Sequence, residues 1–145
     1  MSKVEDALKL FDEGFSCSQA ICAVYGKQFG LERETAFKIA GAFGGGMGRM
    51  GETCGAVTGA FMVIGLKYGM TDVNDKDAKE RTIEAVNEFV NKFNERNGSI
   101  VCKKLLGYDL STPEGRKEVS EKGLTKKICP QFIKDAAEIL EQILE

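Results

Sequence analysis

Five cysteines and the complete absence of histidine restrict the chemistry that is open to this chain of 145 residues. Without histidine there is no Cys–His dyad, no histidine-containing zinc site and no histidine-ligated haem, because each of these needs an imidazole. A metal would have to be held by thiolates or oxygens. Five thiols without any sign of secretion indicate metal or redox chemistry more than structural disulfides.

A glycine-rich segment, FGGGMGRMGETCGAVTGA, precedes and includes Cys54. Five of the eight residues from 44 to 51 are glycine, which costs backbone entropy on folding. Glycines let backbone N–H groups come close to an anion, such as the Cys54 thiolate or a cofactor or substrate bound to it. The residues expected to bind such a group are Gly44, Gly45, Gly46, Gly48 and Arg49.

Two other interpretations of the glycines remain open. The segment from Gly46 to Gly51 matches G-x-G-x-x-G, and Asp72 lies about 20 residues beyond, as in a dinucleotide-binding fold. That motif requires a preceding strand, whereas residues 32–43 have the pattern of a helix, so a nucleotide site is disfavoured. The remaining alternative is a turn that packs over the core and has no chemistry.

Apolar residues recur at helical spacing along the whole chain. Four of them between Val4 and Phe11 follow the i, i+3, i+4, i+7 pattern, and Ser2 with Glu5 has the spacing of a capping box. No alternating run or hairpin signal favours a strand. We therefore predict an all-α fold, a single helical domain over residues 1–145, with helices over about 2–14, 16–28, 32–43, 53–68, 75–96, 99–106, from 112 onward, and 130–144.

The predicted helix over residues 53–68 is apolar nearly all round, which places it at the centre of a multi-helix bundle. Gly55 and Gly59 lie one turn apart on it. Small residues at this spacing allow a neighbouring helix to approach closely. We expect such a close packing here.

Four of the five cysteines fall at predicted helix N-termini: Cys17 after Ser16, Cys54 after Thr53, Cys102 in the helix that starts at Ser99, and Cys129 directly before Pro130. Free N–H groups and the helix dipole stabilise an anion there, which predicts lowered thiol pKa values. Cys22 lies within the second helix and is interpreted as an ordinary buried residue. None of the four forms a C-x-x-C pair, so a shared site would be assembled only in three dimensions.

The segments FSCSQA, FGGGMGRMGETCGAVTGA and VCKKLLG, with the final Cys-Pro, resemble the family described as putative redox-active protein and named for its C–GCAxxG–C–C pattern. The resemblance runs from about Phe15 to Cys129. The middle motif differs from the family name in order, because Cys54 precedes Gly55. The resemblance implies a small, mostly helical prokaryotic protein with a redox role. It excludes Cys22 and assigns the family's four cysteines to Cys17, Cys54, Cys102 and Cys129.

Three functions from different classes follow. The first is a redox protein, an oxidoreductase or an electron carrier, whose four cysteines hold an iron–sulfur cluster or cycle between thiol and disulfide, with Cys17 and Cys54 as the reacting pair. The second is a structural zinc domain with the same four thiolates as ligands. The third is a module that binds an anionic ligand at the glycine-rich segment. The resemblance ranks the redox function first.

The charge and hydropathy of the chain bear on its partners and location. A net charge of −2 without a basic face disfavours nucleic acid and anionic membranes. The longest apolar stretch, Ala56–Leu66, is 11 residues and too short to span a bilayer. The N-terminal residues lack the apolar region of a signal peptide, so we expect a cytoplasmic protein. The sequence leaves the redox partner and the oligomeric state open.

Overall fold

The protein consists of eight α-helices and contains no β-sheet, in a computed structural model that describes residues 1–145. Short 3₁₀ segments follow the second and third helices, at Lys27–Phe29 and Gly41–Phe43. The predicted all-α fold is confirmed. The helices are α1 (Lys3–Glu13), α2 (Cys17–Gly26), α3 (Arg33–Ala40), α4 (Gly55–Tyr68), α5 (Lys76–Asn97), α6 (Cys102–Leu106), α7 (Pro113–Lys122) and α8 (Leu124–Ile143).

Local capping signals account for most of the helix boundaries. Ser2 and Glu5 form the predicted capping box at the start of α1, and Ser16 forms another with Gln19 at the start of α2. The Thr112 side chain caps α7, with Pro113 as the first helical residue. These side chains accept hydrogen bonds from backbone N–H groups that have no partner within the helix.

The central position predicted for α4 is confirmed. This helix packs against α2, α5 and α8, and most of its residues are buried. The predicted close packing at Gly55 and Gly59 is confirmed as well, with α2 as the neighbour. A Cβ atom at Gly59 would lie 2.9 Å from the carbonyl oxygen of Ser18, and one at Gly55 would lie 3.1 Å from the Ser18 nitrogen. The start of α2 is therefore held directly against the start of α4.

Polar contacts attach α8 to two other helices. The Tyr25 hydroxyl of α2 donates a hydrogen bond to Glu141 at 2.6 Å. Arg96, near the end of α5, donates to the carboxylates of Asp135 at 3.0 Å and Glu138 at 2.7 Å. Together with a shared hydrophobic core from every helix except α7, these bonds determine the position of α8.

The prediction that the last helix begins at Pro130 is wrong, because α8 begins at Leu124, directly after the left-handed residue Gly123. Pro130 lies inside the helix and cannot donate a hydrogen bond to the carbonyl of Lys126. Lys126 itself is exposed, on the solvent side of α8. Cys129 consequently lies in the second turn of α8, and not at a helix N-terminus.

None of the eight helices combines the length and the apolar character that a membrane span requires.

Candidate thiol site

Four of the five cysteines line one cavity of about 110 Å³. Each comes from a different helix: Cys17 begins α2, Cys54 precedes α4, Cys102 begins α6 and Cys129 lies within α8. All five thiols are free. Cys22 is fully buried elsewhere in the core and does not line the cavity. The fold thus brings together the four cysteines that the sequence singled out.

An isolated antiparallel bridge between Thr53 and Val101 holds Cys54 and Cys102 in place. The Cys54 N–H donates to the carbonyl of Ile100 at 2.7 Å, and the Cys102 N–H donates to the carbonyl of Glu52. Side chains alternate between the two faces of such a bridge, so Cys54 and Cys102 project to the same face. Two residues that are distant in sequence are therefore placed together by backbone hydrogen bonds.

The glycine-rich segment forms a left-handed turn. Five consecutive residues, from Gly45 to Arg49, have φ between 62° and 70°. Two of them, Met47 and Arg49, are not glycine, and each pays about 1–2 kcal/mol for this conformation. The high glycine content is explained by this backbone, since glycine adopts positive φ without a steric penalty.

The turn covers the cavity so closely that side chains are excluded. A Cβ atom at Gly46 would lie 2.7 Å from the Cβ atom of Cys102, and one at Gly44 would lie 2.9 Å from the Cβ atom of Ser16. The N–H groups of Gly45 and Gly46, both of which line the cavity, form no hydrogen bond within the chain. The turn therefore leaves two backbone donors without a partner in the wall of the cavity, and the assignment of Gly44, Gly45, Gly46 and Gly48 as ligand-binding residues stays a prediction.

Cys17 and Cys129 shift each other's pKa values. A hydrogen bond between their side chains raises the pKa of the Cys17 thiol and lowers the pKa of Cys129 below its usual value. Burial and the neighbouring thiols raise the pKa of Cys17 further. The lowered pKa favours Cys129 over Cys17 as the sulfur that ionises first.

The other two thiols stay protonated at neutral pH. Burial raises the pKa of Cys54 to about 12, against the lowering effect of hydrogen bonds from the N–H groups of Ala56 and Val57. Burial and the charge of Cys129 raise the pKa of Cys102 to about 11. The prediction of lowered thiol pKa values at helix N-termini is therefore wrong for Cys17, Cys54 and Cys102. Burial and neighbouring sulfurs raise these pKa values by more than the helix termini lower them.

The four sulfur donors match the ligand type of zinc and of iron–sulfur clusters. Nevertheless, no group of three or more Cys, Asp or Glu residues is arranged so that it could hold a metal ion. The donor chemistry fits such a cofactor, whereas the arrangement of the side chains does not. The assignment of the four cysteines as metal ligands stays a prediction.

Arg49 does not line the thiol cavity. It lies on a neighbouring groove together with Gly44, Gly45 and Gly48, and the charges that raise the pKa of Cys54 are those of Cys129 and Cys102. Its assignment as a ligand-binding residue stays a prediction. Arg116 of α7 lies on the same groove, and no motif in the sequence had singled it out.

An all-α protein with four free thiols around one cavity, beneath a left-handed glycine turn, belongs to the class of small cysteine-rich helical proteins. The profile of the family described as "Putative redox-active protein (C_GCAxxG_C_C)" matches residues 15–143. The chain belongs to this family. No curated protein and no solved structure matches the chain.

Alkylation of the metal-free protein should show that Cys129 reacts at lower pH than the other cysteines. The thiolate is the reactive form, so a lowered pKa moves the reaction to lower pH. Replacing Cys17 by alanine removes the hydrogen bond and should shift the midpoint of Cys129 alkylation to higher pH. Iodoacetamide labelling followed by peptide mass spectrometry measures each cysteine separately. Cys22→Ala is the matched control, and an unchanged Cys129 profile in Cys17→Ala would contradict the assignment.

Proposed function

We propose that this protein is a thiol–disulfide redox protein in which Cys17 and Cys129 cycle between two thiols and one disulfide. The observation that carries this proposal is the shared cavity, which both cysteines line, and each of the two thiols shifts the pKa of the other, Cys17 upward and Cys129 downward. The description of the family as redox-active agrees with it. The sequence had paired Cys17 with Cys54, and the proposal replaces Cys54 by Cys129.

The two cysteines have different roles in the proposed reaction. Cys129 is the nucleophile, because its pKa is the one that is lowered. Cys17 stabilises that thiolate by donating a hydrogen bond, and then attacks the mixed disulfide formed on Cys129. Cys54 and Cys102 remain protonated, since burial raises the pKa of each. On oxidation the pair gives two electrons to an external acceptor and releases the proton of Cys17, since Cys129 reacts as a thiolate.

Peptide mapping after oxidation tests this pairing. We expect treatment with an oxidant to yield one reversible disulfide that links the peptides of Cys17 and Cys129. Cys17→Ser and Cys129→Ser should each abolish this disulfide, whereas Cys22→Ser should retain it. A disulfide that joins Cys54 to Cys102, or thiols that do not oxidise reversibly, would rule the proposal out.

A second candidate is a site in which all four cysteines hold a metal after their side chains rearrange, and it is favoured by the placement of four sulfur donors around one cavity. As thiolates the four groups would repel one another, since the charged forms of Cys54, Cys102 and Cys129 each raise the pKa of Cys17. A bound cation would offset this repulsion and deprotonate the thiols. Iron, zinc and acid-labile sulfide should be measured after purification without oxygen. Stoichiometric metal that is lost in each single Cys→Ser variant would replace the thiol–disulfide proposal with this one.

A further inference from the structure

A groove of about 790 Å³ adjoins the thiol cavity on the protein surface. We call it the arginine groove, after Arg49 and Arg116, which both line it. Its volume lies within the range of about 300–1,000 Å³ that is typical of small-molecule sites. The groove and the cavity share four lining residues: Ser16, Gly45, Leu110 and Thr125.

The shared residues place the groove directly outside the reacting pair. Ser16 is the neighbour of Cys17 in sequence, and Thr125 lies one helical turn before Cys129 on the same face of α8. Cys102, by contrast, lies beneath Gly46 of the glycine turn. A molecule in the arginine groove would therefore lie beside Ser16 and Thr125, which separate the groove from Cys17 and Cys129.

The charge of the groove is entirely positive. Of the residues that line it, Arg49 and Arg116 are charged and none is acidic. Neither arginine forms a salt bridge, although the protein as a whole has a net charge of −2. Arg116 donates one hydrogen bond, to the carbonyl of Leu110 at 2.9 Å, which leaves the other guanidinium donors free.

Neutral donors add to these charges. The hydroxyl groups of Ser120 and Thr125 line the groove and form no hydrogen bond within the chain. Gly45 and Gly48 line it as well, and their N–H groups have no acceptor in the chain. Guanidinium, hydroxyl and backbone N–H donors without competing carboxylates are the groups that recognise carboxylate or phosphate.

We propose that the arginine groove binds a low-molecular-weight anionic disulfide, which is the oxidant of the Cys17–Cys129 pair. This inference rests on the proposed thiol–disulfide function and adds the substrate class to it. The groove is concave and of small-molecule size, its donors suit carboxylates, and it adjoins two thiols that need an acceptor of two electrons.

The reaction conserves atoms and electrons. The Cys129 thiolate attacks one sulfur of the disulfide RSSR, so that a Cys129–SR bond forms, the S–S bond breaks and RS⁻ leaves. Cys17, after losing its proton to that RS⁻, attacks the Cys129 sulfur and expels a second RS⁻, which takes a proton from water. The protein is oxidised to the Cys17–Cys129 disulfide, and RSSR is reduced to two molecules of RSH.

Two probes of opposite charge and the same reactive group test this inference. Oxidised glutathione is an anionic disulfide, and cystamine is a cationic one. The experiment compares the rates at which oxidised glutathione and cystamine oxidise the Cys17–Cys129 pair, in the wild-type protein and in the Arg49→Gln/Arg116→Gln variant. The ratio of the two rates, anionic over cationic, should fall at least tenfold in the variant. Lys117→Gln removes the same charge from the position next to Arg116 and should leave the ratio unchanged, because Lys117 does not line the groove.

A binding measurement separates recognition from reaction. In the Cys17→Ser/Cys129→Ser variant, titration calorimetry should detect binding of oxidised glutathione, and the two arginine substitutions should abolish it. If both probes oxidise the pair but the rate ratio does not depend on the arginines, the inference fails while the proposed function stands. If neither probe oxidises the pair, the proposed function fails and the inference fails with it.

Discussion

Oxidation of Cys17 and Cys129 to a disulfide should raise the free energy of unfolding by about 3 kcal/mol. The crosslink would join α2 to α8 and close a loop of roughly 110 residues, which restricts the unfolded chain strongly. The chain-entropy estimate for such a loop is about 4–5 kcal/mol, and native-state strain commonly reduces the measured value. For a protein of this size the melting temperature should rise by roughly 6–12 °C.

Thermal and urea unfolding with and without dithiothreitol measures this effect. The Cys17→Ser/Cys129→Ser variant is the control, and its stability should not depend on the reductant. The Cys22→Ser variant should respond like the wild type. Equal stability of the oxidised and reduced wild-type protein would show that the two sulfurs do not form the crosslink.

Replacing Gly46 by alanine should lower the free energy of unfolding by about 3 kcal/mol or more. A left-handed alanine costs about 1 kcal/mol or slightly more relative to glycine. A Cβ atom at this position would also collide with the Cys102 Cβ atom at 2.7 Å and with the backbone of Gly51 and Glu52 at 2.8 and 2.7 Å. Backbone atoms cannot move aside cheaply, so this overpacking adds about 1–3 kcal/mol.

Gly48→Ala is the matched control for that substitution. Gly48 has the same left-handed conformation, but its nearest contact would be the carbonyl oxygen of Ala42 at 3.8 Å. Gly48→Ala should therefore lower the free energy of unfolding by only about 1 kcal/mol. Urea unfolding compares the two variants, and alkylation of Cys102 should become faster in Gly46→Ala alone. Equal losses of stability in Gly46→Ala and Gly48→Ala would mean that Gly46 is not packed closely against Cys102.

The left-handed turn has a strained backbone and lies next to the proposed site. Met47 and Arg49 adopt a conformation that is unfavourable for side-chain-bearing residues, and such strain concentrates at functional sites. The turn lies between the thiol cavity and the arginine groove, since Gly45 lines both. Its glycines allow the backbone to cover the cavity, and Arg49 adds positive charge on the groove side.

The sequence by itself determined the class of fold and much of the local structure. The capping residues Ser2, Ser16 and Thr112 begin helices where they were expected to, and the nearly uniform apolar character of residues 53–68 predicted the central helix. These signals could be interpreted because they act between residues within one or two turns of each other. The four relevant cysteines could also be selected, through helix position and family resemblance.

Only the tertiary structure decided how these cysteines act on one another. Cys17 and Cys129 are far apart in sequence, and they meet because α2 and α8 pack together and the Tyr25–Glu141 hydrogen bond joins them. Likewise, Arg116 and Arg49 line the same groove only because α7 lies beside the glycine turn. The pKa values of the thiols depend on burial and on neighbouring sulfurs from other helices, so a helix N-terminus alone predicted the wrong direction for three of them.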